Sequence, residues 1–98
     1  MIEKFTLDTF TPHLNSTFRI KQGDTVALEL QLVGTTDVGT TPRQIQFSIV
    51  FRGPQNPYLV QSIYRLEHDQ LGAFDLFLVP IKRDQEGMHY EAIFNRPL

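Results

Sequence analysis

The 98 residues contain no cysteine, which excludes disulfide staples and thiolate metal sites outright. Small secreted domains often depend on such staples, so the cytoplasm is the default expectation. No stretch approaches the roughly 20 apolar residues of a membrane helix. The opening Met1-Ile2-Glu3-Lys4-Phe5-Thr6 has no apolar run of signal-peptide length. Export within a particle, or by a signal-independent route, stays open. Charge of one sign is also scarce. The net charge is −2, and no basic stripe exists to hold a phosphate backbone, which disfavours nucleic-acid binding. The six glycines, Gly23, Gly34, Gly39, Gly53, Gly72 and Gly87, are spaced as turn residues. They do not form a phosphate-cradling loop ahead of a helix.

What is present is a β pattern. Hydrophobic residues make up 41% and charged residues 20% of the chain, which is globular rather than disordered. A chain of this length supports one core, so residues 1–98 are read as one domain. Eight Phe and three Tyr suit a compact β core.

Apolar residues alternate at period 2, as in half-buried strands. Val26, Leu28, Leu30 and Leu32 share one face, with Glu29 and Gln31 on the other. Ile45, Phe47, Ile49 and Phe51 point inward, with Gln44, Gln46 and Ser48 outward. Tyr64 and Leu66 face in; Arg65 and Glu67 face out. Met88, Tyr90, Ala92 and Phe94 face in; His89 and Glu91 face out. Phe18-Arg19-Ile20-Lys21 alternates in the same way. In Phe74 to Ile81 the inward set is Phe74, Leu76 and Leu78. Phe77, Val79 and Ile81 are apolar too, so this strand is expected to be covered on both faces, with Ile93 sharing a second cover supplied by the plug, a loop or another subunit. Gly53-Pro54-Gln55-Asn56-Pro57 is a break that no central strand tolerates.

Hairpins centred near Gly23, Gln70 and Asp84 or Gln85 set Ile20 opposite Val26, Leu66 opposite Phe74, and Leu78 opposite Tyr90 or Ala92. All these residues are inward, so the registers agree. Leu7, Phe10 and Leu14 recur at helical spacing; Thr6 can cap one turn and Pro12 limits it. The expected fold is all-β: a six-stranded antiparallel meander forming a barrel or strongly curled sheet, with one short N-terminal helix as plug.

Catalytic and metal signatures are missing. His13, His68 and His89 match no standard metal spacing. His68 is placed at a strand end and His89 on an outer face, as solvated or hydrogen-bonded surface histidines. His13 packs beside the plug. Glu29, Asp75 and Glu91 read as a solvent face, since acid–base work needs a pair held in a cleft. Ser16, Ser48 and Ser62 sit in no nucleophile elbow. No catalytic residue, metal ligand or cofactor is assigned. Arg52 ends a strand beside a rigid loop, where it pairs with an acid or meets a partner. Tyr58 and Leu59 follow this loop. An exposed aromatic beside an arginine is the usual composition of an interaction hot spot, so Arg52, Tyr58 and Leu59 are the candidate contact residues.

Several segments carry a resemblance: Leu7-Asp8-Thr9-Phe10, Phe51-Arg52-Gly53-Pro54, Tyr64-Arg65-Leu66-Glu67-His68, Leu71-Gly72, Leu76-Phe77-Leu78-Val79-Pro80 and Gly87-Met88-His89-Tyr90-Glu91-Ala92-Ile93-Phe94-Asn95. Together they resemble a bacterial domain-of-unknown-function family of about this length. Proline often follows the histidine in that family where this chain has Asp69, and a turn tolerates either. The resemblance implies no activity. It implies company with tail-collar-like proteins, and so a role in a phage-tail-like or surface assembly. The leading expectation is therefore a non-enzymatic structural or protein-interaction domain. Its partner is another protein, with self-association open, and edge strands or the Arg52–Tyr58 loop form the contact surface. A small-ligand-binding β-barrel ranks second and a hydrolase third.

Overall fold

The alternation builds six strands, one of which continues through Gly34, expected at a turn, as far as Asp37. In the computed structural model, which describes residues 5–97, these are β1 (Thr17–Gln22), β2 (Thr25–Asp37), β3 (Gln44–Gly53), β4 (Ser62–His68), β5 (Gly72–Asp84) and β6 (Gly87–Pro97). A one-turn helix, α1 (Leu7–Phe10), and a 3-10 turn (Thr11–His13) precede them. Thr9 Oγ1 accepts the Thr6 amide at 2.9 Å and so caps the first turn. Pro12 confines the helical segment to this short stretch.

The strands close into a barrel in the order β1–β2–β3–β6–β5–β4, with every pairing antiparallel. The meander holds within each half, β1–β2–β3 and β4–β5–β6. The crossover at 54–61 joins the halves, because its prolines cannot make a tight hairpin into a paired strand. β3 and β6 pair from Gln44↔Pro97 to Gly53↔Met88. The closing seam is short: Arg19↔Glu67, Ile20↔Leu66 and Lys21↔Arg65. Two long strands form the corners. β2 passes from β1 to β3 with a bulge between Leu32 and Gly34, and β5 passes from β4 to β6 with a bulge between Pro80 and Lys82. Bulges supply the bend that closure needs. Each strand has a partner on both sides, but β2 pairs with β1 only as far as Gln31 and with β3 only from Gln31 on, and the short seam leaves Ser62 to Tyr64 of β4 without a partner on the β1 side.

The interior is filled. Phe10 of the plug is fully buried and meets Phe5, Phe47, Phe74 and Phe94 at centroid distances of 5.2 to 6.4 Å. Phe47 and Phe94, a cross-strand pair, stack at 4.5 Å. Phe18 packs on Phe51 at 5.1 Å and on the His68 ring at 4.4 Å. Seven of the eight phenylalanines join these ring contacts; Phe77 is the exception. No helix among the described residues is long and apolar enough to cross a membrane.

Four details differ from the sequence expectation. Ile20 lies opposite Leu28 rather than Val26, because a bulge between Ile20 and Lys21 shifts the register. Val26 is 42% exposed, on a hairpin tip that projects past the core. Ser48 lies outward between the inward Phe47 and Ile49, as expected, yet is buried. The described residues leave the outer face of β5 uncovered: Phe77 is 49% and Ile93 67% exposed, and Ile81 is exposed as well. Leu66 does face Phe74, and Val79↔Glu91 sets Leu78 level with Ala92.

Candidate functional site

Alternation along β4 carries inward from Tyr64 and Leu66 to His68, which is only 5% exposed. The expectation of a surface histidine is corrected: the strand ends there, but the plug covers it. The His13 ring, in the 3-10 turn, sits edge-on to His68 at 4.7 Å. His68 Nδ1 accepts the Gln70 and Leu71 amides at 3.1 and 3.2 Å, which fastens the β4–β5 turn. Those bonds require an unprotonated Nδ1, so the ring proton is on Nε2. Nε2 lies 2.9 Å from Ser16 Oγ and donates to it. Ser16 Oγ in turn donates to the His13 carbonyl at 2.5 Å. The pair looks like half of a catalytic dyad, but the proton runs the wrong way. His68 gives a hydrogen bond to Ser16 and is not placed to take its proton. Burial, then the neighbouring His13, holds the His68 pKa below its ordinary value.

Glu67 and Asp69 turn away from His68, as alternation predicts, and bind Arg19 at 3.1 and 2.9 Å. These groups border an open cleft of about 440 Å³ between the plug, β1 and the β4–β5 turn. Its arginine is held by two carboxylates, and its buried histidine is fully hydrogen-bonded.

His89 points outward on β6, opposite Arg52 of β3 and Lys82 of β5. It is nonetheless only 7% exposed, which corrects the expectation of a solvated histidine. Its Nδ1 is buried without a hydrogen-bond partner and lies 4.0 Å from Asp84 Oδ1. Asp84 shapes the β5–β6 turn by accepting the Glu86 and Gly87 amides at 2.9 and 3.2 Å. Burial pushes the Asp84 pKa up, but the Glu86 amide, His89 and Lys82 outweigh it and hold the carboxyl below its usual range. Gly87 has φ +142°, and a Cβ there would lie 2.1 Å from the Gly53 carbonyl oxygen. Only glycine fits where this turn crosses the end of β3.

The three expected contact residues each have different neighbours. Arg52 donates to Gln31 Oε1 at 2.7 Å on the outer wall. Tyr58 is exposed on the crossover, with the Arg83 guanidinium 6.0 Å from its ring centre. Leu59 is half-buried against the core, and its amide donates to the Tyr90 hydroxyl at 2.7 Å.

The wall of β4, β5 and β6 carries a different surface, whose outward apolar residues on β5 and β6 the sequence already marks. Ile63, 66% exposed, is paired directly with Phe77 across the β4–β5 ladder. Val79 follows on the same face of β5, opposite Glu91, and Ile93 lies two residues beyond Glu91 on that face of β6. The apolar outward residues were visible in sequence. Their lack of cover was not, because it depends on where the plug and crossover settle.

The family model described as Domain of unknown function (DUF6916) matches residues 5–94, nearly the whole barrel with its plug. No curated protein and no solved structure shows a match to the chain.

Proposed function

The chain belongs to the DUF6916 family, and on that premise we propose that it is a non-catalytic protein-interaction domain whose contact surface is the outer wall of β4–β6. One observation carries this reading: Phe77 is the one phenylalanine outside the aromatic core, and it lies exposed beside an exposed Ile63. Large apolar side chains grouped on an outer face are favoured where a partner covers them. Full burial of each contributes on the order of 1.5–3 kcal/mol, offset by the cost of association. The closed barrel leaves only short stretches of strand unpaired, which favours recognition by side chains on a sheet face. Tyr58 on the crossover is a further exposed aromatic. The filled interior lends less support to a ligand held in the barrel mouth. The direction of the Ser16–His68 bond lends none to a hydrolase built on that pair.

The partner is another protein with an apolar face, and a tail-collar-like protein is the first candidate to test. The tagged chain and its Ile63→Lys/Phe77→Lys variant would each capture proteins from the source organism, read by quantitative mass spectrometry. A specific partner should drop at least tenfold with the double variant and stay with Arg52→Glu. Equal recovery by wild type and the double variant would remove this wall from the account.

A further inference from the structure

We infer that the β5–β6 hairpin holds a divalent transition-metal ion between Asp84, Glu86 and His89. One ligand atom from each of the three side chains lies within 4.8 Å of the others. A tetrahedral ion with bonds of about 2.0–2.2 Å needs its ligands roughly 3.3 Å apart. The exposed Glu86 swings in to close most of that gap, and Asp84 shifts only slightly within its turn.

The histidine distinguishes this group from an ordinary acidic turn. His89 is more than nine-tenths buried, and its Nδ1 has no hydrogen-bond partner. A buried ring nitrogen left unbonded carries a desolvation penalty that proteins normally avoid. Here that nitrogen faces the carboxylate it fails to reach, at 4.0 Å. An ion between them bonds to both. The backbone fixes two of the three ligands beforehand. Asp84 is held by the Glu86 and Gly87 amides, and His89 is held between Arg52 and Lys82 on the neighbouring strands.

One imidazole with two carboxylates suits zinc and its first-row neighbours. Magnesium and calcium prefer oxygen alone. Three protein ligands leave the remaining positions open to water or to a donor from another molecule. Lys82 competes for the same carboxylate, its Nζ lying 3.5 Å from Asp84 Oδ2. Removing this lysine should therefore strengthen binding, which no merely structural role of the cluster would produce.

The test is calorimetric titration of the chelator-stripped full chain with zinc chloride. Imidazole nitrogen shifts, followed by NMR, identify the histidine that responds. The expected result is one equivalent bound, with the His89 Nδ1 signal moving. Glu86→Gln, a change at an exposed turn position, should weaken binding at least tenfold, and Lys82→Ala should tighten it several-fold. Absence of binding below about millimolar zinc would overturn the assignment. So would binding that survives Glu86→Gln but is lost in His13→Ala, since the ion would then lie beside the plug.

Discussion

His68 and His89 are buried to nearly the same degree, yet their surroundings differ in kind. Beneath the plug, both nitrogens of His68 are used, one by two backbone amides and one by Ser16. In the wall near the β5–β6 hairpin, His89 leaves Nδ1 unbonded beside a carboxylate. A buried polar ring is costly unless it is hydrogen-bonded. The satisfied histidine is therefore part of the fold's own framework. The unsatisfied one marks a place where the molecule is completed from outside. A Ser–His contact is the feature that first suggests chemistry, and here its hydrogen bonds tie the plug to the β4–β5 turn.

The largest effect should come from the turn that presents His89. Gly87→Ala drives a methyl into the Gly53 carbonyl and should cost about 4 kcal/mol, read by urea unfolding. A loss below about 1 kcal/mol would mean that the hairpin yields, and that His89 is not rigidly placed. Next, His68→Ala removes a ring packed on Phe18 and strands two amides. It should cost about 3 kcal/mol, against about 1 kcal/mol for His89→Ala in metal-free buffer. Equal losses would erase the distinction between the two histidines.

The smallest effect is in pH. His68 titrates below its ordinary 6.5 when folded, so the unfolded chain binds more protons as pH falls through that value. Its contribution to stability is complete above pH 6.5 and is lost progressively below it, down to the folded pKa. Unfolding midpoints measured from pH 7.5 to 5 should decline, and His68→Gln should flatten the slope. An unchanged slope in the variant would assign the decline to other groups.

Much of this was legible in sequence because strand alternation is local. The inner faces of β3 and β6, the break at Pro54 and Pro57, and the Leu66–Phe74 register all follow from it. The inward position of His68 was implied by Tyr64 and Leu66, but the ending of the strand obscured it. The Ile20–Lys21 bulge has no signature in the residues, and it sets Val26 opposite Lys21 instead of Ile20. The β1–β4 seam and the β3–β6 ladder join distant segments, so no local pattern foretells them. His89 was placed correctly as outward. Its burial depends on its position between Arg52 and Lys82, which only the closed barrel supplies. Phe77 was likewise recognised as outward and apolar, and only the whole fold shows it uncovered.

The most direct test of the interaction account is site-specific photocrosslinking in living cells. A photoreactive phenylalanine analogue would replace Phe77 on β5 in one strain, and Glu29 on β2, across the barrel, in another. The account predicts one prominent adduct with another protein from position 77 and none from position 29. No adduct from position 77, or the same adducts from both positions, would contradict it.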